Sequence, residues 1–218
     1  MNIFKKSKNL LQLAYWLLWA KETQKSKDIK HTTLFCQNSM ANNKAIKVSV
    51  FRPKTRPPTR TCLIIPGLSP QGASDPRLIK LATTFAKVGY LVYTPFVDDY
   101  IKLHIKPNTY TDIAAVFDDL YEYSYKNFQD PQPIILSLSF GSLMAFKLAS
   151  DLKRRDKIKH MLLFGGYAEW LPTVQAIVEG DRYRQQSKQY DRQVLPVIFI
   201  HLLSLICKDD SQLDRDLI

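Results

Sequence analysis

The chain contains 218 residues, of which 45% are hydrophobic, and it carries a formal net charge of +11 at pH 7. This length fits one ordinary α/β domain with enough apolar residues for a buried core. Three scattered cysteines without a C-x-x-C pair argue against a disulfide framework and indicate a reducing compartment. The four histidines lie too far apart for zinc-ligand spacing, so we expect neither a metal nor another cofactor.

The positive charge is concentrated at the start of the chain. Residues 1–60 hold thirteen Lys or Arg and two acidic side chains, whereas the remaining residues are neutral in sum. A nucleic-acid-binding domain would carry its basic residues on the folded body, with aromatic or motif support. The distribution therefore argues against nucleic acid as a partner.

Residues 1–30 form a basic and apolar N-terminal segment followed by a linker. Its apolar part, residues 10–20, is about 16 Å long as a helix and too short to span a bilayer. Two tryptophans, a tyrosine and flanking lysines suit a helix lying on an anionic membrane. We therefore expect a cytoplasmic protein, with peripheral binding to the inner face of the membrane through residues 1–20 as one interpretation. A helix packed on the domain and a secretory signal, which Leu18 and Lys21 fit poorly, are the alternatives.

The body of the chain, residues 31–170, alternates between strand and helix patterns. Strand patterns cover residues 32–36, 45–51, 62–66, 90–95, the run from 133, and 160–164, and helix patterns cover 76–88, 109–125 and the run from the 137–141 turn to about 152. Continuous apolar strands alternating with amphipathic helices predict an α/β fold with a mostly parallel, doubly wound sheet. Lys153 to Lys157 are predicted to be a solvated helix end, and residues 171–218 to form helical, lid-like segments.

The segment Ser137-Leu138-Ser139-Phe140-Gly141 joins a strand to a helix and has the nucleophile-elbow pattern, with serine in place of the first glycine. An elbow holds its nucleophile in a tight turn, so the residues two before and two after it must be small. Ser137 and Gly141 meet this requirement, and Ser139 is then the exposed hydroxyl. A structural serine in a strand-to-helix turn is the alternative interpretation.

Sites in parallel sheets lie at the carboxyl ends of the strands. The loop Gly67-Leu68, which follows the strand at 62–66, is therefore expected beside Ser139. His104 also lies on this side but precedes the elbow, whereas His160 opens its strand and is expected at the opposite end. Asp75 and Arg77 are expected to form an ion pair that orders the loop.

With these loops placed, residues 45–170 resemble the α/β-hydrolase family, in particular its bacterial serine hydrolases and esterases. The resemblance is carried by the loop Ile65-Pro66-Gly67-Leu68-Ser69, by Asp75-Pro76-Arg77 with the helix and strand that follow, and by the elbow.

The resemblance implies an acyl-enzyme mechanism on a small-molecule ester or acyl substrate. Ser139 would be the nucleophile, and the backbone N–H groups of Leu68 and Phe140 would form the oxyanion hole. Gly67, Ser137 and Gly141 would be the small residues that support the loop and the elbow.

The family places an acid and then a histidine after the elbow, and residues 171–218 contain no strand followed by Asp and no late loop histidine. The sequence therefore predicts a sheet that is incomplete at its C-terminal side. His201 is the candidate base that follows the elbow, although a histidine packed in an apolar helix is the alternative. An inactive, truncated remnant and a non-catalytic membrane-associated binding protein are the alternative functions.

Overall fold

A computed structural model describes residues 27–39, 41, 43–102 and 109–166. The predictions for residues 1–20, for His104 and for His201 lie outside the described residues, as does the lid-like segment 171–218. Within the described ranges, no helix is long and apolar enough to cross a bilayer.

The described part of the chain contains six strands and four helices. The strands are β1 (Ile29–Asn38), β2 (Lys44–Pro53), β3 (Arg60–Ile65), β4 (Tyr90–Pro95), β5 (Ile134–Leu138) and β6 (His160–Phe164). The helices are α1 (Pro76–Lys87), α2 (Asp98–Ile101), α3 (Thr109–Asn127) and α4 (Gly141–Ser150), with short 3₁₀ turns at Gly72–Ser74 and Arg155–Lys157.

The strands form one sheet in the order β1-β2-β4-β3-β5-β6. β1 and β2 form an antiparallel hairpin, and β2 is antiparallel to β4, whereas β4, β3, β5 and β6 are parallel to one another. Parallel neighbours need a crossover connection, which the helices between these strands supply. The prediction of a mostly parallel α/β sheet is therefore confirmed.

Different helices cover the two faces of the sheet. Ile64 of β3 packs in a buried apolar cluster with Leu81 and Phe85 of α1. Because side chains alternate along a strand, Thr61 faces the other way. Its hydroxyl lies 2.7 Å from the hydroxyl of Ser124 on α3. α1 therefore covers one face, whereas α3 covers the other, where α4 packs beside it on β5.

One residue of the charged stretch 153–157 differs from its prediction. α4 ends at Ser150, and Arg154 is only 8% exposed instead of lying on a solvated helix end. Its guanidinium binds the carboxylates of Asp118 on α3 and of Asp151. Lys153, Arg155 and Asp156 are exposed as predicted. The prediction is wrong for Arg154, because its acidic partner Asp118 is distant in sequence and lies close only in the fold.

Candidate active site

Ser139 lies in the turn between β5 and α4, with a backbone φ of +47°. This left-handed conformation is strained for a residue other than glycine and needs support from its surroundings. The Ser139 N–H donates to the carbonyl of Phe164 in β6 at 2.8 Å. The Ser139 carbonyl accepts hydrogen bonds from Ser142, from the backbone N–H at 3.0 Å and from the hydroxyl at 2.8 Å. These bonds hold the turn on both sides of Ser139.

The residues two before and two after Ser139 have little space. A Cβ at Gly141 would lie 2.5 Å from the carbonyl oxygen of Pro66 and 2.8 Å from that of Ile65. Ser137 is fully buried between its register partners Ile65 and Leu163. Its hydroxyl has no hydrogen-bond partner among the described residues. Both positions therefore have the steric environment that an elbow imposes.

The loop after β3 lies directly against the elbow. A Cβ at Gly67 would be 3.0 Å from the carbonyl oxygen of Leu138 and 3.2 Å from the Cβ of Ser139. Leu68 follows, while Phe140 on the other side immediately precedes α4. The Phe140 ring is buried and meets Tyr100 edge to face at 5.3 Å. The backbones of Leu68 and Phe140 are therefore brought to the same turn, at the positive end of α4.

Asp75 anchors the far end of this loop. The nearly buried carboxylate accepts hydrogen bonds from the backbone N–H of Arg77 at 2.9 Å, from its Nε at 3.1 Å and from its Nη2 at 2.8 Å. The hydrogen bonds from the Arg77 side chain are the main reason that the pKa of Asp75 is lowered. The predicted ion pair is confirmed, and it also caps the start of α1.

A pocket of about 530 Å³ opens at the elbow. Ser139 lines it together with Gly67 and Leu68, and α1 supplies the opposite wall. The volume lies within the range typical of sites for small organic ligands. The site therefore combines a strained serine, a loop packed against it and space for a small molecule.

The described histidines lie elsewhere. His160 opens β6, at the opposite end of the sheet from the elbow as predicted, and is exposed. His31 stacks on Phe51 at 4.1 Å, and burial lowers its pKa. Among the described residues, neither histidine lines the pocket, and no three His, Cys, Asp or Glu side chains are grouped to hold a metal ion.

Sequence reasoning missed one residue of the elbow. Ser142 is fully buried and bonds back to Ser139 through its hydroxyl. The available signal was its position three residues after Ser139, since serine side chains bond locally to a carbonyl three or four residues earlier. The contact of the turn with the Phe164 carbonyl had no local signal, because it depends on the pairing of β5 with β6.

No family model matches the chain, and no curated protein matches it in sequence. Solved structures do match. Esterase Est22 is 11% identical with a TM-score of 0.57, and the alignment covers 77% of this chain and 53% of that one. The chain has the α/β-hydrolase fold.

Two further structures with this fold are similar at comparable levels. Brefeldin A esterase, a bacterial homologue of human hormone-sensitive lipase, is 17% identical with a TM-score of 0.53, covering 72% of this chain and 45% of that one. A dienelactone hydrolase from Anabaena variabilis is 14% identical with a TM-score of 0.51, covering 64% of each chain. The chain thus spans about half the length of the two esterases that it matches. The predicted α/β-hydrolase resemblance is confirmed at the level of the fold.

Proposed function

We propose that the protein is a serine hydrolase that cleaves esters of small molecules. The observation that carries the proposal is the left-handed turn that presents Ser139 to a pocket shared with Gly67 and Leu68. Strained backbone at one polar residue, in a pocket at the carboxyl ends of parallel strands, is typical of a functional site. The structural neighbours with the same fold include proteins named as esterases.

In the proposed reaction the Ser139 Oγ attacks the ester carbonyl carbon while its proton passes to a general base. The negative charge on the carbonyl oxygen is stabilised by the backbone N–H groups of Leu68 and Phe140 and by the positive end of α4. The C–O bond to the alcohol then breaks, and the alcohol leaves with a proton from the base. Water then attacks the acyl carbon while the base takes its proton. The bond to the Ser139 Oγ breaks and the base returns the proton to Oγ, which releases the acid and restores Ser139.

A serine hydroxyl needs an adjacent base to be a good nucleophile. His201 is proposed for this role, and it belongs to the segment 171–218 that we propose as a unit distinct from the catalytic body 31–170. We expect His201→Gln to lower the turnover of an activated ester by at least about 100-fold, in keeping with the usual contribution of a general base. Unchanged turnover would exclude His201 as the general base, and Ser139 would then be activated by a different base.

The test of the nucleophile is covalent labelling of the full chain with a fluorophosphonate probe, read by intact-protein mass. We expect one probe per chain in the wild type and none in Ser139→Ala. The matched control is Ser150→Ala, at the other end of α4, which should label like the wild type. Labelling that persists in Ser139→Ala would overturn the assignment, and an unlabelled but folded wild type would indicate that the fold is used without catalysis.

A further inference from the structure

One end of the sheet carries a cluster of exposed cations. β3 and β4 begin at this end, paired at Arg60 and Tyr90, and β1 begins where β2 ends, paired at Ile29 and Pro53. It is the end opposite the elbow, because Ser139 follows the carboxyl end of β5, which is parallel to β3. We name these exposed cations the basic rim, and they are Lys27, Lys30, Arg52, Lys54 and Arg60.

Backbone hydrogen bonds hold the rim in place. The Lys54 N–H donates to the carbonyl of Asp28, just before β1, at 2.8 Å. The Thr59 N–H donates to the carbonyl of Gly89, just before β4, at 3.0 Å. The strands lie in the order β1-β2-β4-β3 at about 4.8 Å per neighbour, so the rim spans about 14 Å. The backbone positions of its cations are therefore fixed by the sheet.

The rim cations have no acidic partners within the described ranges 27–39, 41, 43–102 and 109–166. None of the five forms an ion pair there. The segments 27–30 and 52–60 hold six Lys or Arg and one acidic residue, Asp28, a net charge of +5. By contrast, Lys44 at the other end of β2 is paired with Asp112. The positive charge is thus left uncompensated at one end of the sheet.

Arg56, the sixth cation of these segments, is not counted in the rim because it has a structural role. Its Nη2 donates to the carbonyl of Lys87, the last residue of α1, at 2.8 Å. A cation at this position binds the end of the helix and complements its dipole. The rim cations make no comparable contact in the described structure, so their charge is available to a partner.

The register places two rim charges directly opposite each other. Lys30 on β1 is the partner of Arg52 on β2, and both side chains are exposed. Like charges in this arrangement destabilise a sheet. A surface of one sign also opposes folding by self-repulsion, whereas it attracts ligands of the opposite sign. Neither effect stabilises the fold, so the rim fits an anionic partner.

The chain that leads into the rim favours one kind of polyanion. Residues 1–26 directly precede Lys27, and they contain five lysines and the apolar stretch 10–20 with Trp16 and Trp19. Stable attachment to a bilayer takes two signals, which an apolar element beside a polybasic surface supplies. A surface for single-stranded nucleic acid combines its cations with aromatic side chains that stack on bases, and residues 52–60 contain no aromatic residue. Anionic lipid is therefore the better fit.

We propose that the basic rim binds the anionic headgroups of a lipid bilayer, with residues 1–20 as the neighbouring apolar anchor. β3, from Arg60 to Ile65, is about 17 Å long, so the pocket beside Ser139 lies at that distance from the rim and opens away from the bilayer. Docking through the rim does not involve Ser139, and the proposal is independent of the hydrolase function.

The direct test is co-sedimentation of the full chain with phosphatidylcholine vesicles that contain about 30% phosphatidylserine, in about 0.1 M salt. Each cation near an anionic surface contributes about fivefold in affinity, so the double variant Lys30→Gln with Arg52→Gln should bind about 25-fold more weakly. If its melting curve shows that this variant is not folded, Lys27→Gln with Lys54→Gln decides the matter, with the same expected loss.

The matched control is Lys102→Gln with Lys147→Gln, which removes the same charge outside the rim. Lys102 follows α2 and Lys147 lies on α4, and both are exposed. This variant should bind vesicles within about threefold of the wild type, because distant charges are screened by salt. Equal weakening in the rim and control variants would show that only net charge matters and would overturn the proposal.

Two other results would also overturn it. Vesicle binding that neither rim variant changes would mean that residues 1–20 bind without the rim. Binding to a single-stranded RNA that depends on the rim, with no binding to the vesicles, would mean that the surface takes nucleic acid.

The outcome for Ser139 separates this proposal from the proposed catalysis. Ser139→Ala should bind vesicles like the wild type, so a failure of the hydrolase proposal would leave vesicle binding unchanged. Fluorophosphonate labelling of Ser139 should proceed at the same rate with and without saturating vesicles, because the pocket opens away from the bilayer. Labelling that is blocked on vesicles would show that the catalytic edge faces the lipid and that the rim is not the docking surface.

Discussion

The two ends of α4 are built in opposite ways. At its N-terminal end the chain passes through the strained conformation of Ser139, with little space for side chains at Ser137 and Gly141. At its C-terminal end Asp151 has an ordinary extended conformation and accepts hydrogen bonds from three groups. These are the hydroxyl of Tyr110 at 2.6 Å, the backbone N–H of Lys153 at 2.8 Å and the guanidinium of Arg154.

The backbone strain therefore lies at the N-terminal end of α4, and the ion pairs that anchor the helix lie at its C-terminal end. A left-handed non-glycine residue costs on the order of 1–3 kcal/mol, and it persists only where surrounding contacts fix it. The bonds to Phe164 and Ser142 provide such contacts at Ser139. At the other end, Arg154 joins the end of α4 to Asp118 on α3 through Nε at 3.0 Å and Nη2 at 2.6 Å. We infer that substitutions at the N-terminal end change reactivity, with or without a loss of stability, whereas those at the C-terminal end change stability alone.

The largest effect is expected for Gly141→Ala. The new Cβ would meet the carbonyl oxygens of Pro66 and Ile65 at 2.5 and 2.8 Å, and backbone atoms cannot move aside as a side chain can. We expect a loss of at least about 3 kcal/mol in the free energy of unfolding and a loss of fluorophosphonate labelling. Urea denaturation and intact-protein mass measure the two effects.

The control for this substitution is Gly165→Ala. A Cβ at Gly165 meets nothing within 4 Å, although its φ is +59°. The expected loss is only about 1 kcal/mol, from backbone strain alone. Equal losses in the two variants would show that close packing at Gly141 does not limit the elbow.

Arg154→Met tests the anchoring end. It leaves Asp118 and Asp151 without their shared cation, and their side chains are 37% and 20% exposed, so water compensates in part. We expect a loss of about 2 kcal/mol in the free energy of unfolding, below the usual value for a fully buried pair. The rate of labelling per folded molecule should stay within twofold of the wild type. A large fall in that rate would mean that the two ends of α4 are coupled.

The sequence predicted the N-terminal end of α4 more fully than its C-terminal end. The elbow was predictable because its steric requirements fall on five consecutive residues, and the flanking strand and helix patterns are local. The mostly parallel sheet followed from the alternation of buried strands with helices, whereas the order of the strands comes from the structure. Ser139 and Leu68 could be placed together because parallel strands bring their carboxyl ends to one edge, and Phe140 was added by the resemblance to the α/β-hydrolases.

Contacts between residues distant in sequence were not predictable in this way. Arg154 and Asp118 are separated by 36 residues, so the sequence did not show that Arg154 is buried within a charged run whose other members are mostly exposed. The contribution of α1 to the pocket wall likewise depends on how this helix lies on the sheet. Helical spacing shows that Leu81 and Thr84 share a side of the helix with Arg77, but not that this side faces Ser139.

Acid should lower the stability that Asp151 contributes at the C-terminal end of α4. The hydrogen bond from Tyr110, with further bonds from Lys153 and Arg154, lowers the pKa of Asp151 to about 2 from its ordinary value of 3.8. Because the folded-state pKa is depressed, this contribution is present above about pH 4 and is lost as the pH falls toward 2. The expected change is about 1 kcal/mol after allowance for solvent screening. Urea titrations at pH 5 and pH 2.5 should show it in the wild type, and less of it in Asp151→Asn.

The smallest effect compares two serines that make the same kind of bond at the two ends of α4. The Ser142 hydroxyl donates to the Ser139 carbonyl at 2.8 Å, and the Ser150 hydroxyl donates to the Lys147 carbonyl at 3.0 Å. Each bond spans three residues, but only that of Ser142 ends on the strained residue. Ser142→Ala should lower kcat for an activated ester about fivefold with KM unchanged, because a misplaced nucleophile reacts more slowly without binding substrate less well. Ser150→Ala should change neither constant, and melting curves should show that both variants are folded. Equal kcat values in the two variants would mean that Ser142 contributes only to packing and that the backbone bonds of the turn are sufficient to hold Ser139.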